Sequence, residues 1–154
     1  MKIVLMSDSH GRSQNIDKVL QLHPDADYYL HCGDIECDEY TYPNLIVVRG
    51  NNDYFGDFPE KRILDIGNHR ILMMHSHTVY SFQRTLKMAE MAKAKGCDMV
   101  FFGHTHIAFD QVVDGVRLIN PGSLFYSRDG KEISYCVITI QDDIQVDFHF
   151  APFI

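Results

Sequence analysis

The stretch Lys2-Ile3-Val4-Leu5-Met6-Ser7-Asp8-Ser9-His10-Gly11 carries a short apolar, β-branched run straight into a polar turn. An apolar run of this length, closed by turn residues, predicts a buried strand. Four more runs follow the same plan. Tyr28-Tyr29-Leu30 enters His31-Cys32-Gly33-Asp34, and Leu45-Ile46-Val47-Val48 enters Arg49-Gly50-Asn51-Asn52-Asp53. Ile63–Ile66, a Gly67-Asn68 turn and Arg70–Met74 read as a hairpin whose second arm ends at His75-Ser76-His77. Met99–Phe102 enters Gly103-His104-Thr105-His106. Each strand ends in residues that can hold a metal or act on a substrate, where α/β sheets gather ligands.

The segments between the strands fix the fold class. Ile16, Val19 and Leu20 share a helical face that closes at His23-Pro24, and Ser81 is placed to cap a helix carrying Phe82, Leu86 and Ala89, closed by Gly96. Farther on, Val112-Val113-Asp114-Gly115-Val116 signals a hairpin with a type I′ turn. Ile133–Ile140 and Ile144–Phe150 form a last hairpin, with Ile144, Val146, Phe148 and Phe150 on one face. These elements predict an α/β protein, two sheets flanked by helices, with residues 1–154 as a single domain.

Composition narrows the function. Fourteen Lys and Arg stand against 21 Asp and Glu, a formal net charge of -7 with nine histidines counted neutral. That balance opposes stable binding to nucleic acid or to an anionic membrane surface. The first apolar run is too short for a signal peptide or a span. Four cysteines without CxxC spacing suit reduced thiols, and a cytoplasmic location is expected.

Seven potential donors then fall at five strand ends: Asp8 and His10, Asp34, Asn51, His75, His104 and His106. In an extended chain, residues two apart project to one side, so Asp8/His10 and His104/His106 are each expected to aim together. Carboxylate, imidazole and amide oxygen suit Mn, Fe, Zn or Ni better than Ca. Seven donors exceed the needs of one four-coordinate ion, so two ions about 3.5–4 Å apart fit better.

Asp8-Ser9-His10, Gly33-Asp34, Gly50-Asn51-Asn52-Asp53, His75 and Gly103-His104-Thr105-His106, with Asn120-Pro121-Gly122-Ser123 downstream, resemble the ordered motifs of the calcineurin-like metallophosphoesterases. The chain is most similar to their small, cap-less microbial branch, the YfcE type. The resemblance implies an αββα sandwich of two mixed β-sheets with the site at one edge. It implies one ion on Asp8, His10 and His106, another on Asn51, His75 and His104, and Asp34 as the bridge. The implied cofactors are two divalent ions, manganese first, with nickel, iron or zinc as alternatives. The implied activity is a metal-dependent phosphodiesterase acting on a small phosphoester, through in-line attack of a metal-bridging hydroxide. Asp34, Asn51 and His77 are the expected catalytic residues.

One position departs from the family pattern. Many relatives carry His directly after the Gly-Asn motif, where it protonates the leaving group. Here the residue is Asn52, which cannot act as an acid. Substrates with good leaving groups are therefore expected, with His77 as the alternative proton source or merely a neighbour of the site. Arg12, Arg49 and Asn52 are the candidate substrate contacts, the arginines as phosphate clamps. Asp53 is expected to orient a histidine or cap its turn. Asn120 and Ser123 either shape the floor of the site or make a plain turn, and His31 is packed or beside the site. His23, His69 and His149 are assigned to structure or surface. The apolar tail Ala151-Pro152-Phe153-Ile154 suits docking on the domain or a homo-oligomer contact. The alternative function is a protein-interaction scaffold on the same fold, as in the retromer subunit that resembles this family. A nuclease for long nucleic acid is disfavoured by the missing basic groove. No cap insertion is present to read the substrate beyond its phosphate.

Overall fold

The computed structural model describes residues 1–126, 128 and 132–150. Twelve elements follow one another: β1 (Lys2–Met6), α1 (Ser13–Leu22), β2 (Tyr28–His31), β3 (Leu45–Val47), β4 (Lys61–Ile66), β5 (His69–Met74), α2 (Arg84–Ala94), β6 (Met99–Phe101), β7 (Phe109–Val113), β8 (Val116–Asn120), β9 (Ser134–Ile140) and β10 (Ile144–Phe150). They build two five-stranded mixed sheets, ordered β10-β9-β1-β2-β3 and β4-β5-β6-β8-β7. β1, β2 and β3 run parallel in the first sheet, and β5, β6 and β8 in the second.

Alternation along the strands sets the layers. Ile3 and Leu5 of β1 join Met99 and Phe101 of β6 in the core between the sheets. Val4 and Met6 face the other way and pack with Ile16 and Val19 of α1. Val100 packs with Met88, Ala89 and Ala92 of α2 on the far side. The result is the expected αββα order. Each fully buried aliphatic contributes roughly 1.5–3 kcal/mol, so the strands that carry the site are anchored on both faces. Two arginines tie the sheets along their sides. Arg62 donates from Nε to the Val47 carbonyl at 2.9 Å, and Arg117 donates to the Ile144 carbonyl at 3.2 Å while forking onto Asp110.

The turns behave as their residues dictate. Asp114 and Gly115 both have positive φ, 50° and 80°, as a type I′ turn requires. Gly96 at φ 70° ends α2 in a Schellman arrangement, with Gly96 N–H on the Lys93 carbonyl and Cys97 N–H on that of Ala92.

Three local expectations need correction. Ser81 does not cap α2: its Oγ accepts from Gln83 N–H, and the helix begins at Arg84 without a side-chain cap. Phe82 lies outside the helix and is fully exposed, because the buried face is made by Met88, Ala89 and Ala92, small enough to seat the helix on the sheet. Phe150 leaves the core face of β10 at the sheet margin, whereas Ile144, Val146 and Phe148 keep it. The tail Ala151–Ile154 lies outside the described residues. Among those residues no helix is long and apolar enough to cross a membrane.

Candidate metal centre

The parallel strands of both sheets deliver their C-terminal ends to one edge, and the chain there adopts an unusual conformation. Asp8, His10, Asp34, Glu36, His104 and His106 all have left-handed φ, between 46° and 72°. Asp8/His10 and His104/His106 are therefore not extended, as spacing alone suggested, and Asp34/Glu36 repeats their shape. Left-handed residues alternate with ordinary ones, and this curls each strand end so that both members of a pair turn inward. Such positions cost on the order of 1–3 kcal/mol each and persist where surrounding structure fixes them. Here that structure is a set of crosslinks between loops: Asp8 N–H donates to the Gly33 carbonyl, His10 N–H to that of Asp34, and Gly103 N–H to that of His75.

Two groups of three donors result, Asp8 with His10 and His106, and Asp8 with Asp34 and His75. Asp8 is fully buried and common to both. Its Oδ2 accepts from Ser7 Oγ at 2.5 Å and from His104 N–H at 3.0 Å. Its Oδ1 is buried with no hydrogen-bond partner. Around that oxygen stand His106 Nε2 at 3.2 Å, His75 Nε2 at 3.7 Å and His10 Nε2 at 3.9 Å. Asp34 Oδ2 also reaches both sides, 3.3 Å from His75 Nε2 and 3.7 Å from His10 Nε2.

The proton positions decide what fits between these atoms. His75 Nδ1 faces the Cys32 carbonyl at 2.7 Å, an acceptor, so Nδ1 carries the hydrogen. In the neutral ring Nε2 then presents a lone pair to Asn51 Oδ1 at 3.0 Å and to both carboxylates. His10 Nδ1 donates to Glu36 Oε2 at 2.9 Å, which leaves its Nε2 lone pair 3.2 Å from His106 Nε2. The lone pairs of His10 and His75 thus face the carboxylate oxygens of Asp8 and Asp34, and a cation between them satisfies all four side chains. The residues fit divalent metal, with a mixed oxygen and imidazole donor set that suits borderline ions.

Electrostatics follow the same logic. Burial alone would raise the Asp8 carboxyl, but the neighbouring imidazoles of His106 and His75 and the Ser7 hydroxyl hold it below its ordinary value. Burial likewise opposes ionisation of Asp34, and His75 with the Asn52 amide groups overcomes it, so this carboxyl lies well below the usual range. Burial, reinforced by the charges of His75 and Arg84, lowers His104 to about 4.

The remaining predicted residues are distributed as follows. His104 approaches Asp8 through its backbone, while its ring centroid lies 5.1 Å from that of His75 and outside both three-donor groups. Asn52 grips Asp34 twice, N–H to Oδ1 at 2.8 Å and Nδ2 to Oδ2 at 3.1 Å. Asp53 caps the turn rather than orienting a histidine: it accepts the N–H groups of Asp34, Glu36 and Gly50. His77 has a buried, unpartnered Nδ1, and its ring lies 5.3 Å from His75. The Arg49 guanidinium turns to the Gly56 carbonyl at 3.4 Å, and that of Arg12 lies over the Phe125 ring at 5.2 Å. Asn120 donates to the Gly103 carbonyl and Thr105 Oγ1, and Ser123 to the Asp8 carbonyl, so both brace the floor. His31 is fully buried, accepting Gly33 N–H at Nδ1 and contacting Ser9 Oγ through Nε2. His23 contacts the Tyr135 hydroxyl, His149 stacks on the Tyr135 ring and His69 pairs with Asp98, all structural.

Glu36 and Ser7 escaped the sequence reading. The available signal for Glu36 was its place two residues after Asp34, the same interval as His10 after Asp8. Gly50 and Gly103, two glycines of the strand-end motifs, both permit close approach. A Cβ at Gly50 would overlap Asp34 Oδ1, and one at Gly103 would overlap Ser7 Oγ.

Comparison with known proteins agrees with this geometry. Residues 1–143 match the family model described as the calcineurin-like phosphoesterase superfamily domain. The chain is 36% identical to the probable metallophosphoesterase YsnB of Bacillus subtilis, over 93% of this chain and 86% of that protein. It is 33% identical to phosphodiesterase MJ0936 of Methanocaldococcus jannaschii, over 79% and 83% respectively. A crystal structure of a predicted phosphoesterase from Streptococcus pneumoniae superimposes with a TM-score of 0.87 at 27% identity, covering 97% of this chain and 88% of the other. With curled strand ends from both sheets meeting at one buried aspartate, and a family model spanning nearly the whole length, the chain belongs to the calcineurin-like phosphoesterase superfamily.

Proposed function

We propose that the chain is a single metallophosphoesterase domain that uses two divalent ions to hydrolyse phosphodiesters. The observation that carries this reading is the pair of three-donor groups sharing Asp8, whose Oδ1 has no hydrogen-bond partner and faces three imidazoles. In this reading one ion is held by Asp8, His10 and His106, the other by Asn51, His75 and His104, with Asp34 between them. Manganese is the first choice from the family resemblance, with nickel, iron and zinc as alternatives that the donor set also suits. When bound, the ions supply the Lewis acidity that activates water and offsets charge on the phosphoryl group.

The protein's own groups do the rest. Glu36 and the Cys32 carbonyl keep protons on the Nδ1 atoms of His10 and His75, so both Nε2 atoms stay available as donors. Asn52 fixes both oxygens of Asp34 and offers the leaving oxygen no proton, which favours activated diesters whose leaving group departs as an anion. His77 is the imidazole beside the site that remains for proton delivery. Arg49 and Arg12 are the cationic side chains assigned to the substrate. Buried unpaired Cys32, Cys97 and Cys136 suit a reducing cytoplasm.

A panel of mono- and diesters with Mn, Ni, Zn and Mg tests the reading. Turnover of activated diesters is expected, and Asp34→Asn should abolish it. A metal-loaded protein that turns over none of them, yet binds a protein partner tightly, would establish the scaffold alternative instead.

A further inference from the structure

Beside the donor groups the loop after β8 presents two consecutive aromatic rings. Phe125 and Tyr126 are 39% and 43% exposed. Single exposed aromatics need no explanation, but these two abut the site itself. The Phe125 ring centroid is 5.4 Å from that of His10, and the Tyr126 centroid is 4.6 Å from that of His106, edge to face. The two rings lie 5.3 Å from each other.

Their backbone is anchored. Leu124 is buried, with its N–H on the Ser7 carbonyl, and Asn15 Nδ2 holds the Leu124 carbonyl at 2.7 Å. Ser123 Oγ accepts both the Phe125 and Tyr126 N–H groups while donating to the Asp8 carbonyl. The rings are thus indexed to the central aspartate by one hydroxyl.

Cations lie over both rings. The Arg12 guanidinium carbon is 5.2 Å from the Phe125 centroid, and that of Arg128 is 6.0 Å from the Tyr126 centroid. Among the described residues the arginine ion-paired to a carboxylate is Arg117, on Asp110, whereas these two rest on π-faces. A guanidinium held on a ring can still present N–H groups to phosphate, and Arg128 also directs its Nε to the Tyr126 hydroxyl at 3.4 Å. In a chain of net charge -7, two such cations at one rim mark a place for negative charge.

We propose that Phe125 and Tyr126, with Arg12 and Arg128 over them, bind the part of the substrate beyond the scissile phosphate, and that this part is a nucleotide. Because the rings stand 74° apart in plane, a flat base stacks on one and meets the other at its edge, and a second phosphate takes the guanidinium groups. This supplies the substrate readout that a missing cap insertion seemed to deny, and it rests on the phosphodiesterase reading.

Three p-nitrophenyl diesters with the same leaving group test it: those of methyl phosphate, of thymidine 5′-phosphate and of 3′-phosphorylated thymidine 5′-phosphate. Metal-loaded wild type should favour thymidine over methyl by about tenfold or more in kcat/KM, as base stacking allows. The 3′-phosphate should add a further gain. Phe125→Leu with Tyr126→Leu should collapse the thymidine-to-methyl ratio toward one, and Arg12→Gln with Arg128→Gln should remove the 3′-phosphate gain. A purely structural role would lower all three rates together and leave both ratios intact. Equal kcat/KM for thymidine and methyl esters in wild type overturns the inference and leaves the phosphodiesterase reading standing. If no ester is turned over, that reading fails, and thymidine 3′,5′-bisphosphate is titrated against the Phe125 and Tyr126 ring resonances. Shifts there, absent with inorganic phosphate, support a nucleotide site, and their absence overturns it.

Discussion

His75 is locked by Cys32: the Cys32 carbonyl, 2.7 Å from Nδ1, fixes the tautomer of a fully buried imidazole and aims its lone pair at Asp34 and Asp8. The donors of the centre are therefore positioned for a cation by the fold itself. Chelation should lower Tm, and restoring manganese at about a hundred times its Kd should return roughly 2.7 kcal/mol, about 5–10 °C for a chain of this size. Thermal melts with and without metal check this, and Asp34→Asn should erase most of the difference.

Glu36 should act on metal affinity through His10. Glu36→Ala leaves His10 Nδ1 without its acceptor and is expected to weaken metal binding by about 10–100-fold. Glu36→Gln keeps an acceptor oxygen and should recover most of the affinity. Competition with a chelating dye measures both, and equal losses in the two variants would contradict a positioning role.

Gly103→Ala places a methyl group onto Ser7 Oγ and against Asp8 Oδ2. The Asp8 carboxylate must shift, so metal affinity should fall and stability should drop by about 1–3 kcal/mol. Adding Ser7→Ala makes room and should return part of the stability, measured by urea denaturation.

His31 should give the metal-free protein an acid-sensitive stability. Burial lowers this imidazole to about 4, whereas an unfolded histidine titrates near 6.5. Below about 6.5 the unfolded chain takes up a proton that the folded chain refuses, so stability declines as pH falls from 6.5 toward 4. At about 1.4 kcal/mol per unit the decline is on the order of 3 kcal/mol. Denaturation curves across that window check it, and His31→Gln should flatten the profile.

Asn52→His should raise activity on diesters with alkoxide leaving groups relative to p-nitrophenyl esters, since it adds an acid where the wild type has an amide. The paired rate constants decide this. An unchanged ratio would mean that leaving-group protonation is met elsewhere.

The sequence made the strand ends legible because short apolar runs against Gly, Asp, Asn and His are a local signal. Asp8, His10, Asp34, His75 and His106 do meet at one edge. Their mode of meeting was not legible, because period-two projection presumes extended backbone and these residues take positive φ. Glu36 was hidden because its role depends on a contact with His10 across two strands, and Phe125 and Tyr126 because exposure is not written in residue type. Phe82 misled for the converse reason: helical spacing marked it as buried, and the chain turns before reaching it. Asp53 could be read only as a choice between two roles, and its three backbone partners became visible once the loops were folded together.

The curled strand ends also bear on how the site can be probed. Aspartate, asparagine and histidine are the non-glycine residues that best tolerate left-handed φ, and they are also oxygen and nitrogen donors. Backbone shape and ligand chemistry thus select from the same short alphabet at Asp8, His10, Asp34, His104 and His106. Alanine at these positions removes a donor and adds conformational cost together, so its effect overstates the chemistry. Glycine removes the donor while relieving the backbone, so Asp34→Gly and Asp34→Ala should lose metal alike, with the glycine variant the more stable of the two in denaturant. The difference between the two variants measures the conformational cost, and their shared loss measures the chemistry.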